Sequence, residues 1–207
     1  MIKFYIVDVE TNGIRTNYHE VNEISIIRYD DRVQLTEFIK CENPSRSSFD
    51  ALKITKKTMS DLQRGKSKEE VVDKIIYFLE EDGLTPSHRC FIAHNASFDR
   101  RFLHALFDST NKTLPVNLWL CTMALTKSFY KKAGIKAKAN LHDACDNVGV
   151  KKIHDSHSSK VDTRNTYLLH KDLVEVKNID YLPHIKTFPH IVDTLDSELD
   201  PDLLDLE

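Results

Sequence analysis

Residues Lys3 to Val9 form a continuous β-rich run, and two carboxylates, Asp8 and Glu10, stand at its end. Such a run reads as a buried strand rather than a helix turn. Residues two apart on a strand point to the same face, with a rise of about 3.3 Å per residue. Two carboxylates facing one way at the end of a buried strand repel each other and lose hydration. They need a cation, a proton or a basic partner. Taken alone the pair has a plainer reading, two solvated residues at a strand end.

Thr11-Asn12-Gly13 supplies turn chemistry after the strand. Glu23 to Tyr29 and Val33 to Lys40 read as two more strands of an antiparallel meander. Asn43 to Asp61 looks irregular. Ser67 to Glu81 is expected to be a helix, with Ser67 and Glu70 as a capping box, an apolar face of Val71, Val72, Ile75, Phe78 and Leu79, and Gly83 as the stop. Arg89 to Ala93 reads as a short strand. Helices are expected over Ser97 to Phe107, Leu118 to Phe129, Asn140 to Val148 and Ser159 to Leu173. Three β-rich segments followed by helices and a strand suggest a mixed sheet with helices packed on it. One domain over residues 1–174 and an extension over 175–207 are expected.

Two further segments carry groups capable of chemistry. In His94-Asn95-Ala96-Ser97-Phe98-Asp99 an apolar strand runs into a polar turn and a helix, with Asp99 in the first helical turn. There it also serves as a helix-dipole partner, and Asn95 as a cap. In His157-Ser158-Ser159-Lys160-Val161-Asp162 a loop histidine precedes a helix with Asp162 in its early turns. An imidazole of pKa about 6.5 takes a proton from water near neutral pH. Singly, both segments have ordinary structural readings.

Together, DVETNG (Asp8 to Gly13), AHNASFDRRFL (Ala93 to Leu103) and HSSKVD (His157 to Asp162) resemble the three motifs of the DEDDh, or DnaQ-like, 3′–5′ exonucleases. That family includes the proofreading epsilon subunit of bacterial DNA polymerase III. The resemblance covers roughly residues 1–174. It implies an α/β, RNase H-like fold with a five-stranded mixed sheet flanked by helices. It also implies a pair of divalent cations, Mg²⁺ or Mn²⁺, with Asp8 bridging them, Glu10 and Asp162 completing the site, and Asp99 supporting the second ion. His157 would activate the attacking water. Backbone amides from Glu10 through Thr11 to Asn12, and the Asn95 side chain, would hold the terminal nucleotide. Asn12 and Cys121 depart from the threonine and aspartate of many relatives. A second His–Asp pair, His142 and Asp146, falls in the helix before Gly149 and is set aside.

Phe98 is placed either on a base or in the core. Phe129-Tyr130 lies among Lys127, Lys131, Lys132, Lys136 and Lys138, a segment suited to funnel a strand or simply to be solvated. Arg100 and Arg101 share that ambiguity. From Glu175 onward the net charge is −7, against +4 for the first 174 residues. This is compatible with a polyanionic substrate. The tail Leu203-Leu204-Asp205-Leu206-Glu207 suggests a peptide for a sliding clamp or polymerase.

The expected substrate is the 3′ end of a DNA strand. The alternatives are RNA trimming by the same chemistry and a non-catalytic nucleic-acid-binding module. No stretch is long and apolar enough for a membrane span. The N-terminus lacks a signal-peptide pattern. Cys41, Cys90, Cys121 and Cys145 match no zinc or redox spacing, so reduced thiols in the cytoplasm are expected.

Overall fold

The computed structural model describes residues 1–153 and 158–192. Strands β1 (Lys3–Thr11), β2 (Val21–Arg28) and β3 (Gln34–Phe38) form the meander. β4 (Arg89–Ala93) and β5 (Leu118–Cys121) join parallel to β1, and β6 (Lys186–Thr187) closes the far edge. The sheet runs β3-β2-β1-β4-β5-β6. It has six strands where five were expected, because two residues near Trp119 pair with Lys186 and Thr187.

Helix α1 (Phe49–Thr55) and α2 (Met59–Leu62) occupy the segment expected to be irregular. Local capping builds them: the Ser48 side chain accepts from the Ala51 N–H, and Thr58 and Asp61 form a capping box. α1 has no buried residue, so no apolar period announces it in the sequence. α3 (Lys68–Glu80) buries all five expected apolar residues. α4 (Ala96–Asp108) follows β4. α5 (Thr122–Ala133) starts later than expected, because Leu118 to Cys121 is strand. A short apolar run is ambiguous by period alone, and pairing of Cys90 with Leu118 through Ala93 with Cys121 decides it. α6 (Leu141–Val148) is capped by Asn140 and ended by Gly149, and α7 (Ser159–Lys171) completes the fold.

Alternation along β1 divides the core. Tyr5, Val7 and Val9 pack with α3 and α4, whereas Ile6 packs with Leu125, Leu169 and others from α5 to α7. Asp8 and Glu10 therefore share the face of Ile6, the side on which α7 lies. The described residues after 174 pack back on the body. His190 accepts from the Leu114 N–H through Nδ1 and bonds Asp108 through Nε2, both at 3.0 Å. All four cysteines are free. No helix among the described residues is long and apolar enough to cross a membrane.

Candidate active site

β1 ends between an antiparallel neighbour, β2, and a parallel one, β4. A change of strand direction opens a crevice at the carboxyl ends of the parallel strands. Asp8 and Glu10 project there from one face. Asp162, in the first turn of α7, meets them from the helix: the three residues offer carboxylate oxygens all within 4.8 Å of one another.

Two ladders of side-chain bonds seat α7 so that Asp162 reaches β1. Ser25, directly opposite Asp8, accepts from Thr163 Oγ1 at 3.2 Å. Gln34 Nε2 donates to the Lys160 carbonyl at 3.0 Å, and Arg164 Nε donates to Gln34 Oε1 at 2.8 Å.

Asp99 comes from the other face of the sheet. It is 2% exposed, and its Oδ1 accepts from the Val9 N–H at 3.2 Å. It is not one of the three carboxylates grouped above, but it backs the strand that carries two of them.

Loss of hydration dominates the electrostatics. It raises Asp8 well above the usual carboxylate range, with Asp99, Glu10 and Asp162 adding to the rise. Burial raises Glu10 to about 7, against the opposing pull of the Lys57 ammonium. Burial raises Asp99 to about 8, opposed by the Val9 N–H. These carboxyls resist ionisation without added positive charge. An all-oxygen donor set of this kind suits hard divalent cations such as Mg²⁺ or Mn²⁺, so the residues present fit the expected metals.

The other candidates distribute unevenly. His157 lies outside the described residues, as does the tail at 203–207. Thr11 is buried and its hydroxyl donates to the Gly13 carbonyl at 2.6 Å. Asn12 is fully buried. Its Oδ1 accepts from the Glu20 N–H at 2.7 Å, so its side chain closes the β1–β2 loop. In that loop a Cβ on Gly13 would lie 2.1 Å from the His19 ring, which requires glycine. Asn95 is exposed and left-handed, at φ 69°, and its side chain makes no cap hydrogen bond. The expected cap is thus replaced by a backbone turn, and the exposed amide accepts from Ser97 Oγ through Oδ1 at 3.4 Å. Phe98 is half-buried and rests on Phe102, with ring centroids 4.8 Å apart. Asp146 of the set-aside pair bonds Lys152 at 2.5 Å.

Sequence reasoning missed Glu23 and Lys57. Glu23 faces Glu10 across the β1–β2 ladder, and Lys57 Nζ lies 2.8 Å from Glu23 Oε2. The cross-strand register contained a signal for Glu23. Nothing local pointed to Lys57.

A family model described as Exonuclease (RNase_T) matches residues 5–170. Over 129 residues the chain is 31% identical to the DNA polymerase III PolC-type of Thermotoga petrophila, covering 62% of this chain and 9% of that protein. This chain therefore spans a small fraction of that relative's length. Among solved structures, cell-death related nuclease 4 (CRN-4) superposes with a TM-score of 0.72 at 13% identity, over 84% of this chain and 64% of that one. Exonuclease I of E. coli, in complex with a dT13 oligonucleotide, gives 0.72 at 16% identity, over 86% and 42% of the two chains. At those identities the likeness speaks for the fold, an RNase H-like exonuclease fold.

Proposed function

This chain belongs to the RNase_T exonuclease family and is DnaQ-like, and from that premise we propose that it is a DEDDh-type 3′–5′ exonuclease acting on DNA 3′ ends. The meeting of Asp8, Glu10 and Asp162 oxygens within 4.8 Å carries this reading. In it, residues 1–174 are the catalytic domain and residues 175–207 a C-terminal extension.

Asp8, Glu10 and Asp162 would hold two divalent cations, and Asp99 would support one of them. When bound, such cations neutralise charge developing on the phosphate and lower the pKa of a coordinated water. His157 takes the proton of the attacking water. Water oxygen joins phosphorus, the bond from phosphorus to the upstream 3′ oxygen breaks, and that oxygen ends protonated. The products are a nucleoside monophosphate and a strand one nucleotide shorter. The backbone of Glu10 to Asn12 and the exposed Asn95 amide hold the terminal nucleotide. Phe98, with one face on Phe102, has an edge left for the base.

End-labelled single-stranded DNA and RNA of one sequence, incubated with Mg²⁺, Mn²⁺ or EDTA, test this. The expected result is a metal-dependent ladder shortening from the 3′ end, faster on DNA and lost in Asp8→Ala and His157→Ala. Faster RNA shortening would reassign the substrate. No degradation of either polymer by folded, metal-supplied protein would sink the enzymatic reading in favour of a binding module.

A further inference from the structure

A fifth carboxylate stands beside the site and is not among the grouped three. Glu23 is 2% exposed and lies directly opposite Glu10 on the neighbouring strand. Like charges directly opposite on a ladder destabilise it. Burying a carboxylate is costly unless a counter-charge and hydrogen bonds hold it. Glu23 has a counter-charge. Lys57, on the turn between α1 and α2, brings its ammonium to 2.8 Å from Oε2. The Lys57 side chain is only 13% exposed and has two further attachments. It also donates to Asn22 Oδ1, and it lies 5.7 Å from the centre of the Phe38 ring.

The other oxygen of Glu23 holds the start of α7. Glu23 Oε1 accepts from Ser158 Oγ at 3.1 Å and from Ser159 Oγ at 2.9 Å. Those serines immediately precede the turn that presents Asp162. A carboxylate held in one orientation keeps that oxygen aimed at both hydroxyls, whereas one free to turn loses them. Carboxylate acceptors also make the stronger bonds. A continuous chain thus runs from the Lys57 ammonium through Glu23 to the two serines and on to Asp162.

We propose that Lys57 is a positioning residue of this site: by clamping the Glu23 carboxylate it fixes the oxygen that seats the N-terminus of α7 on β2, and so sets where Asp162 stands relative to Asp8 and Glu10. The assignment rests on the exonuclease reading for its consequence in catalysis, though not for its structural content. Lys57 itself touches neither substrate nor metal.

A double-variant cycle on the full chain tests it. Lys57→Met strands a buried carboxylate. Lys57→Met/Glu23→Gln removes that charge while leaving an amide oxygen for the serines. Lys57→Arg retains the cation. Mn²⁺ affinity is measured by titration, and kcat with the p-nitrophenyl ester of thymidine 5′-monophosphate. Lys57→Met is expected to weaken Mn²⁺ binding and lower kcat by about tenfold or more, the range for groups that orient metal ligands. The double variant and Lys57→Arg are expected to recover most of both losses. Unchanged Mn²⁺ affinity and kcat in folded Lys57→Met would overturn the proposal, as would a double variant no better than the single one. If the parent neither bound Mn²⁺ nor cleaved the ester, the exonuclease reading would fall instead. Hydrogen exchange of the α7 amides would then decide the positioning role. Faster exchange in Lys57→Met, reversed in the double variant, supports it, and unchanged exchange overturns it.

Discussion

The Val9 N–H donates to Asp99 Oδ1 at 3.2 Å, tying the first turn of α4 to the strand whose opposite face carries Asp8 and Glu10. In the proposed site this carboxyl has two duties, a structural acceptor for Val9 and, once cations are bound, a counter-charge behind them. The duties separate by substitution. Asp99→Asn keeps an oxygen for Val9 and removes the charge. It is expected to fold normally and to lose about 100-fold in kcat. Asp99→Ala also orphans a buried N–H, at a cost of about 1–3 kcal/mol, so its melting temperature drops as well. An Asn variant retaining more than a tenth of the parent kcat would remove Asp99 from the catalytic set.

Repulsion among Asp8, Glu10 and Asp162 makes the native state responsive to cations. A ligand that binds only the folded chain at 100 times its dissociation constant adds about 2.7 kcal/mol. For a chain of this size, that is a rise of about 5–10 °C in melting temperature. Thermal melts with Mg²⁺ or Mn²⁺ are expected to show this rise, and EDTA to reverse it. Asp8→Asn should abolish the metal response while remaining folded. A response of equal size in that variant would place the metal elsewhere.

The lysine-rich end of α5 and the segment after it are tied to the residue that follows β4. His94 Nε2 donates to the Ala139 carbonyl at 2.8 Å, and Tyr130 Oη donates to the Lys138 carbonyl at 3.3 Å. β4 is in parallel register with β1, Ile92 beside Ile6. His94 is the first residue past the end of β4, at the same carboxyl end of the sheet where β1 carries Asp8 and Glu10. Lys131, Lys132, Lys136 and Lys138 are exposed there. Replacing all four with Gln is expected to raise KM for a long strand. It should also flatten the salt dependence of binding, by about 0.7 in log–log slope for each phosphate no longer neutralised. The kcat for a mononucleotide ester should be unaffected. An unchanged salt slope would return the lysines to simple solvation.

Acid stability has a separate origin. Asp82 and Arg89 are a buried pair, each side chain 1% exposed, and Tyr5 Oη donates to Asp82 at 2.7 Å. Burial opposes ionisation of Asp82, but the Arg89 guanidinium, the Leu84 N–H and the Tyr5 hydroxyl outweigh it and lower the group from 3.8 to about 2. The unfolded chain thus binds the proton more readily than the folded one. The contribution, about 2 kcal/mol, is fully present above about pH 4 and lost as pH falls towards 2. Chemical denaturation from pH 5 to pH 2 should show this decline. Asp82→Asn should start less stable at pH 5 and decline less steeply, and parallel curves for the two proteins would discount the pair.

Much of the architecture was legible in the chain. The continuous β-rich run of Lys3 to Val9, the apolar face of α3, and the Asn140 and Gly149 caps of α6 are local signals, and each appears where the sequence puts it. The boundary at Leu118 was not legible, because four apolar residues carry no distinguishing period and their strand state depends on pairing with β4. α1 was missed for the opposite reason: it buries nothing, and only its caps hold it. Asn95 illustrates a third case. Its residue type suits both an αL turn and a side-chain cap, and the strand-to-helix geometry selects the former.

The sequence by itself determined which acidic and amide groups stand at short spacings and where the first strand lies. Residue types at short spacings, such as Asp8 with Glu10 or Asn95 with Asp99, are fixed by covalent connectivity, and the period of a strand or a helix follows from local backbone geometry. Only the tertiary structure decided what meets what across long separations. The approach of Asp162 to Asp8 and Glu10, the bond from Val9 to Asp99, and the hold of Lys57 on Glu23 all depend on strand order, register and the docking of α7. Those follow from burying two apolar faces of one sheet at once and satisfying the polar groups trapped between them, a condition set by the whole chain rather than by any segment of it.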